Sequence, residues 1–135
     1  MASQTLWEHH GIYVRYSAQS NAEEFVKLIE AFQADIRYDE VRYIVHDFTA
    51  CTGFSFSTSE IEELSAKDAA AALSKRKHRV AIVSDRTDVQ AMVQVYVATG
   101  FHAEDKVRLM SDIAAARQWA CSDLSALSHS GLARR

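Results

Sequence analysis

The stretch that decides the fold is Val41-Arg42-Tyr43-Ile44-Val45-His46-Asp47-Phe48-Thr49-Ala50-Cys51-Thr52-Gly53-Phe54-Ser55-Phe56-Ser57-Thr58-Ser59. Val41 to Asp47 is rich in β-branched and aromatic residues and too short for a helix, so it reads as a strand ending in an aspartate. A loop with one glycine and no proline follows. The hydroxyls Ser55, Ser57, Thr58 and Ser59 then open a helix near Ser57. Two overlapping capping boxes are available, Ser57 with Glu60 and Ser59 with Glu62, each three residues on. In an open α/β sheet, the handover from a strand's carboxyl end to a helix N-terminus is where function usually sits.

Downstream, Glu60, Glu62 and Glu63 occupy the positive end of that helix and Lys75, Arg76 and Lys77 its negative end, each placement suiting the helix dipole by about 0.3–1 kcal/mol. Val80-Ala81-Ile82-Val83 is a continuous apolar run, the mark of a strand covered on both faces. Val89, Met92, Val93, Tyr96 and Val97 recur at helical spacing, with Gly100 placed to end the helix. Val107 to Met110 is the last strand, and Ser111 or Asp112 caps a final helix carrying Ile113, Ala116, Trp119 and Ala120. The serine-rich segment Ser122 to Arg135 reads as a mobile tail.

Upstream, Thr5 to Glu8 and Gly11 to Tyr16 flank His9-His10 as a hairpin, with Ile12 and Val14 on one face and Tyr13 and Arg15 on the other. Ser20 or Asn21 caps a helix whose apolar stripe is Phe25, Leu28, Ile29, Phe32 and Ile36. The element order is ββαβαβαβα. It implies right-handed crossovers and an α/β fold: a mostly parallel mixed sheet with an N-terminal antiparallel hairpin and about four helices.

The chain has 135 residues, enough for one domain that buries roughly two thirds of its unfolded surface. A net charge of −3 creates no field that would favour nucleic acid. Cys51 and Cys121 show neither metal spacing nor a redox motif, and two free thiols in a cytoplasmic protein are the expectation. The N-terminus is not built as a signal peptide, and no apolar run approaches a membrane span.

Taken in order, these features resemble a small STAS-like domain of the SpoIIAA-like, anti-sigma-factor-antagonist-like group, whose fold is shared with CRAL-TRIO lipid-transfer domains. The resemblance is carried by Trp7 before Gly11-Ile12-Tyr13, the strand ending at Asp47, the helix opened by Ser57 to Glu60, Arg79 to Val83, Ala91 to Val97, Val107 to Ser111, and Ala116 with Trp119. It spans about residues 5 to 121, read as one domain, with 122–135 as the tail. STAS antagonists open the corresponding helix with Asp-Ser-Ser-Gly and are phosphorylated on a serine there by a partner kinase. Here the place reads Ser57-Thr58-Ser59-Glu60. The hydroxyls persist at Thr58 and Ser59, the candidate phospho-acceptors, while Ser57 replaces the aspartate and Glu60 the glycine.

The resemblance implies a non-enzymatic protein-interaction or regulatory domain, acting as a homodimer with a regulatory protein partner and no cofactor. Asp47, Phe48, Thr49, Phe54 and Phe56 are its candidate interaction or ligand loop. The alternative is a small carrier or sensor of an apolar, lipid-like ligand held by Phe48, Phe54 and Phe56.

Other constellations do not converge on a reaction. Cys51 lacks the arginine six positions on that a phosphatase loop needs, because Ser57 stands there. His46 and Asp47 are strand neighbours and point to opposite faces. His9 and His10 read as turn residues with no third metal ligand. Tyr96 to Phe101 echoes an acetyltransferase ending, but no glycine-rich turn accompanies it. The run Lys75 to Arg79 reads as a solvated helix end, with anionic lipid or a protein partner as the sharper option.

Overall fold

A computed structural model describes residues 2–74, 78–99 and 106–122. Lys75, Arg76, Lys77, Gly100 and the tail from 123 onward lie outside the described residues. β1 (Ala2–Glu8) and β2 (Gly11–Asn21) form the expected antiparallel hairpin, with both strands longer than predicted. His9 and His10 make its turn, and His10 takes φ 60°. The next residue must be glycine for a steric reason. A Cβ on Gly11 would lie 2.0 Å from the Tyr43 ring, which rests directly on its backbone.

Asn21 caps α1 (Ala22–Ala34), accepting a 2.9 Å bond from the Glu24 N–H. Phe25, Ile29 and Phe32 are buried as predicted, but Ile36 is not part of the stripe. Asp35 takes an extended backbone, ends α1, and caps the following 3₁₀ turn (Ile36–Glu40) through its bond to Arg37 N–H. That break shifts the helical phase and leaves Ile36 87% exposed.

The expected loop after Asp47 is instead strand. β3 runs from Tyr43 to Ser55, because β2 also continues and pairs with it from Gly11↔Tyr43 to Asn21↔Ser55. The residues permit this: Phe48, Thr49, Thr52 and Phe54 favour extended backbone, and no proline removes a ladder donor. The ladder shifts register between Arg15 and Ser17 and between Ala18 and Gln19, with Ala18 at φ 60°.

α2 (Thr58–Ser74), β4 (Arg79–Val83), α3 (Thr87–Thr99), β5 (Val107–Met110) and α4 (residues 113–122) complete the order. Asp112 is the residue that caps α4, through the Ala115 N–H at 2.9 Å. The sheet order is β1-β2-β3-β4-β5, antiparallel at the first pair and parallel thereafter.

That order never reverses. Successive right-handed crossovers that step in one direction put every crossover helix on the same face. The core obeys this rule. Ile12, Val14, Tyr16, Ile44, Phe48 and Ile82 pack with α1, α2 and α3 in one cluster. The other face holds Tyr43, Val45, Ala81 and Val83, covered by Ala116 and Ala120 of α4. A sheet without a reversal also has no switch-point crevice of the kind that holds ligands in doubly wound folds.

Candidate interaction surface at the end of β3

Along β3 the side chains alternate between two unlike environments. His46 points into the three-helix face, where it is buried and its Nδ1 lies 2.9 Å from the Tyr16 hydroxyl. Burial lowers the His46 pKa to about 3, with a smaller contribution from His78, so the ring is neutral. Burial likewise holds the Tyr16 phenol far above its usual range. Tyr16 therefore donates and Nδ1 accepts, leaving the proton on Nε2.

Asp47 points to the α4 face. One carboxylate oxygen accepts from the Thr49 N–H at 2.9 Å and the Thr49 hydroxyl at 2.6 Å, and the other accepts from the Tyr13 hydroxyl. Burial, reinforced by that bond to Asp47, raises the Tyr13 pKa to about 12. Asp47 and Thr49 thus form a local brace where the pairing of β3 with β4 ends, at Asp47↔Val83.

The phenylalanines separate by role. Phe48 is stacked on Tyr16, with centroids 4.3 Å apart, and Phe54 meets it edge-on at 5.5 Å. Both belong to the core. Phe56 is half-buried and leans on Phe54 at 6.1 Å. Cys51 is buried, and its thiol donates to the Gly53 carbonyl at 3.1 Å. Beyond Asp47, β3 has lost its β4 neighbour, and α3 takes over that side. The Phe54 N–H donates to Asp88, whose carboxylate is gripped by Arg86 and so held below its usual pKa.

Ser57 forms the first of the two predicted capping boxes. Glu60 N–H donates to Ser57 Oγ at 3.2 Å, and Ser57 N–H donates back to Glu60 Oε1 at 2.8 Å. The Ser59 hydroxyl lies 3.3 Å from that of Ser57. What faces solvent here is Thr49, Thr52, Ser55, Ser57, Thr58 and Ser59.

The α4 face also carries a polar clasp that local sequence patterns do not reveal. Arg117 of α4 makes two bonds to Glu8 of β1, at 3.0 and 2.8 Å, and lies 4.6 Å over the Tyr13 ring. Tyr43 donates to the same Glu8 at 2.6 Å. The Arg117 bond is the main cause that lowers the Glu8 pKa. Glu8 and Arg117 lie 109 residues apart, so no spacing rule could have joined them. A shallow cleft of about 170 Å³, lined by Trp7, His10, Arg37 and Val41 among others, sits at the opposite end of the sheet from the start of α2. Among the described residues no cluster of histidine, cysteine and carboxylate side chains could hold a metal ion, and no helix is long and apolar enough to cross a membrane.

An antiparallel hairpin feeding a sequential parallel sheet, with crossovers on one face and a last helix on the other, defines a STAS-like α/β domain. Among solved structures, the chain is similar to the anti-sigma factor antagonist SpoIIAA in its unphosphorylated form. The TM-score is 0.53 at 14% identity, over 84% of this chain and 92% of that one. It is also similar to the Bacillus cell fate determinant SpoIIAA in the phosphorylated form, with a TM-score of 0.50 at 14% identity, over 87% of this chain and 98% of that one. At this identity the likeness establishes the STAS-like fold. No protein-family model and no curated protein sequence matches the chain.

Proposed function

We propose that this chain is a non-enzymatic regulatory module that holds a protein partner at the end of β3 and the start of α2. The observation that carries the reading is the division of labour along 47–59. The groups that chemistry would use, His46, Asp47 and Cys51, are buried and already bonded within the fold. The groups left outward are the hydroxyls of residues 49–59 and the half-buried Phe56, which packs against the core that holds Phe48 and Phe54. A rigid base, one aromatic anchor and adaptable hydroxyls suit recognition better than turnover.

The similar solved structures include an anti-sigma factor antagonist and a phosphorylated form, which supports a regulatory role and keeps Thr58 and Ser59 in view as acceptors. Both are exposed. Glu60, Glu62 and Glu63 would oppose a phosphate placed there, so we read the two hydroxyls as contact groups first. A homodimer in the cytoplasm completes the proposal.

The test is site-specific photocrosslinking in the cells that make the protein. A benzophenone side chain replacing Phe56 or Thr52 should capture a defined protein, and Ser59→Arg should suppress that capture. The same group at the exposed Lys27 of α1 is the control. Equal labelling at all three positions would count against the surface.

A further inference from the structure

β1 forms an edge of the sheet and pairs with β2 without a bulge, from Ala2↔Ser17 to Glu8↔Gly11. The two-residue turn makes Glu8↔Gly11 the hydrogen-bonded closing pair. Alternation along the ladder then turns the backbone N–H and C=O groups of Ala2, Gln4, Leu6 and Glu8 toward β2. Those of Ser3, Thr5 and Trp7 point away from the sheet, where no described strand lies.

Proteins that keep such an edge to themselves blunt it with lysine, proline, a bulge or a covering segment. β1 carries none of the first three: residues 2–7 read Ala-Ser-Gln-Thr-Leu-Trp, uncharged throughout. Leu6 is 56% exposed, one of two large apolar side chains so placed among the described residues. The opposite edge, β5, has only four residues and includes Arg108.

We infer that β1 pairs antiparallel with β1 of a second copy of this chain, about a two-fold axis at Thr5. The occupant follows from self-complementarity. With Thr5 opposite the partner's Thr5 and Ser3 opposite the partner's Trp7, every outward N–H and C=O of the three residues finds its match. Gln4 then stands across from the partner's Leu6, and the two leucines lie diagonally, roughly 7–8 Å apart. Ala2 faces the partner's Glu8, whose charge is already held by Arg117, so no like charges meet. The result is one continuous sheet through both copies, with an isologous interface. β2 separates β1 from β3, so the surface at Phe56 stays open on each copy. This interface rests on the homodimer of the function proposed above and is independent of its partner surface at Phe56.

Light scattering on the full chain across a dilution series should show a dimer that dissociates on dilution. Thr5→Pro removes an outward N–H without touching the β2 ladder, and Leu6→Lys places a charge at the seam; each should weaken dimerisation by about tenfold or more. Circular dichroism checks that both variants fold. Register is read by oxidation in a Cys121→Ser background. Gln4→Cys mixed with Leu6→Cys should crosslink quickly, because directly opposed residues of a non-hydrogen-bonded pair have Cα atoms about 4.5 Å apart. Leu6→Cys alone should crosslink far more slowly. A monomer at every concentration, or a dimer indifferent to Leu6→Lys with no Gln4–Leu6 preference, overturns the inference. A correct crosslink with no partner captured at Phe56 sustains it and sinks only the proposed partner surface.

Discussion

The two faces of the sheet are held by different physics. The first face has three helices and a nest of rings in which Tyr16, Phe25, Phe48 and Phe54 touch one another within 4.3 to 5.9 Å. Among the described residues the second face has one helix, which buries Ala116 and Ala120 with Ile113 and Trp119 packed beside them, and the Glu8–Arg117–Tyr13–Asp47 clasp. Helix count explains the contrast. A sheet that advances without reversal sends all its crossovers to one side. The other side is covered by α4, whose Ala116 and Ala120 are buried against the sheet while Arg117 ties it to Glu8 of β1. Bulk supplies stability on one face and polar geometry supplies placement on the other.

Three experiments break or sharpen this contrast. The largest effect is expected from Phe48→Ala. It empties the centre of the ring nest and should cost about 3–5 kcal/mol in urea unfolding. A loss no larger than that of a clasp variant would dissolve the distinction.

The next is acid. His46 is neutral when folded, with a pKa near 3, against about 6.5 when unfolded. The folded value is the lower one, so this stability is present above pH 6.5 and is lost as pH falls toward 3. Between pH 6.5 and 4.5 the loss should be about 2 kcal/mol. The half-buried His78, lowered to about 4 by burial, acts in the same direction. The Glu8–Arg117 bond keeps most of its contribution in that window, because Arg117 holds the Glu8 pKa below its ordinary 4.5. His46→Asn keeps an acceptor for Tyr16 and should flatten the acid slope; an unchanged slope would move its source elsewhere.

The smallest effect belongs to Arg117→Lys, expected to cost about 1–2 kcal/mol. Lysine keeps the charge but cannot reproduce the two-pronged contact or the flat stack on Tyr13. Native-state hydrogen exchange should show the loss concentrated in α4 and β1, with α1 to α3 unaffected.

How far the sequence could be read follows the same division. Elements fixed by local rules were legible: the stripe of α3, the apolar run of β4, and the caps at Asn21, Ser57 and Asp112. Ile36 falls outside the buried stripe although its spacing fits, because Asp35 ends the helix before it is reached. The longer error came at 48–55. A lone glycine beside hydroxyls looks like a loop, and only the unforeseen length of β2 makes it strand. Periodicity reads one segment at a time, whereas strand length is decided by what the neighbour offers. For the same reason the local pattern puts Phe48 and Phe54 in an open loop, whereas the added ladder carries them into the core. The clasp was beyond reach altogether, since its members meet only after the whole sheet has formed.

The bond between Glu8 and Arg117 also sets a clock for synthesis. Glu8 leaves the ribosome 109 residues before its partner, an interval of roughly 5–20 s at common elongation rates. During that interval the first face can close helix by helix as α1, α2 and α3 emerge. Among the described residues, the back of the sheet, with Tyr43, Val45, Ala81 and Val83, is covered by α4 and waits for that helix to be made. A nascent chain of this protein therefore carries one apolar surface uncovered until α4 is made, and that helix ends the exposure.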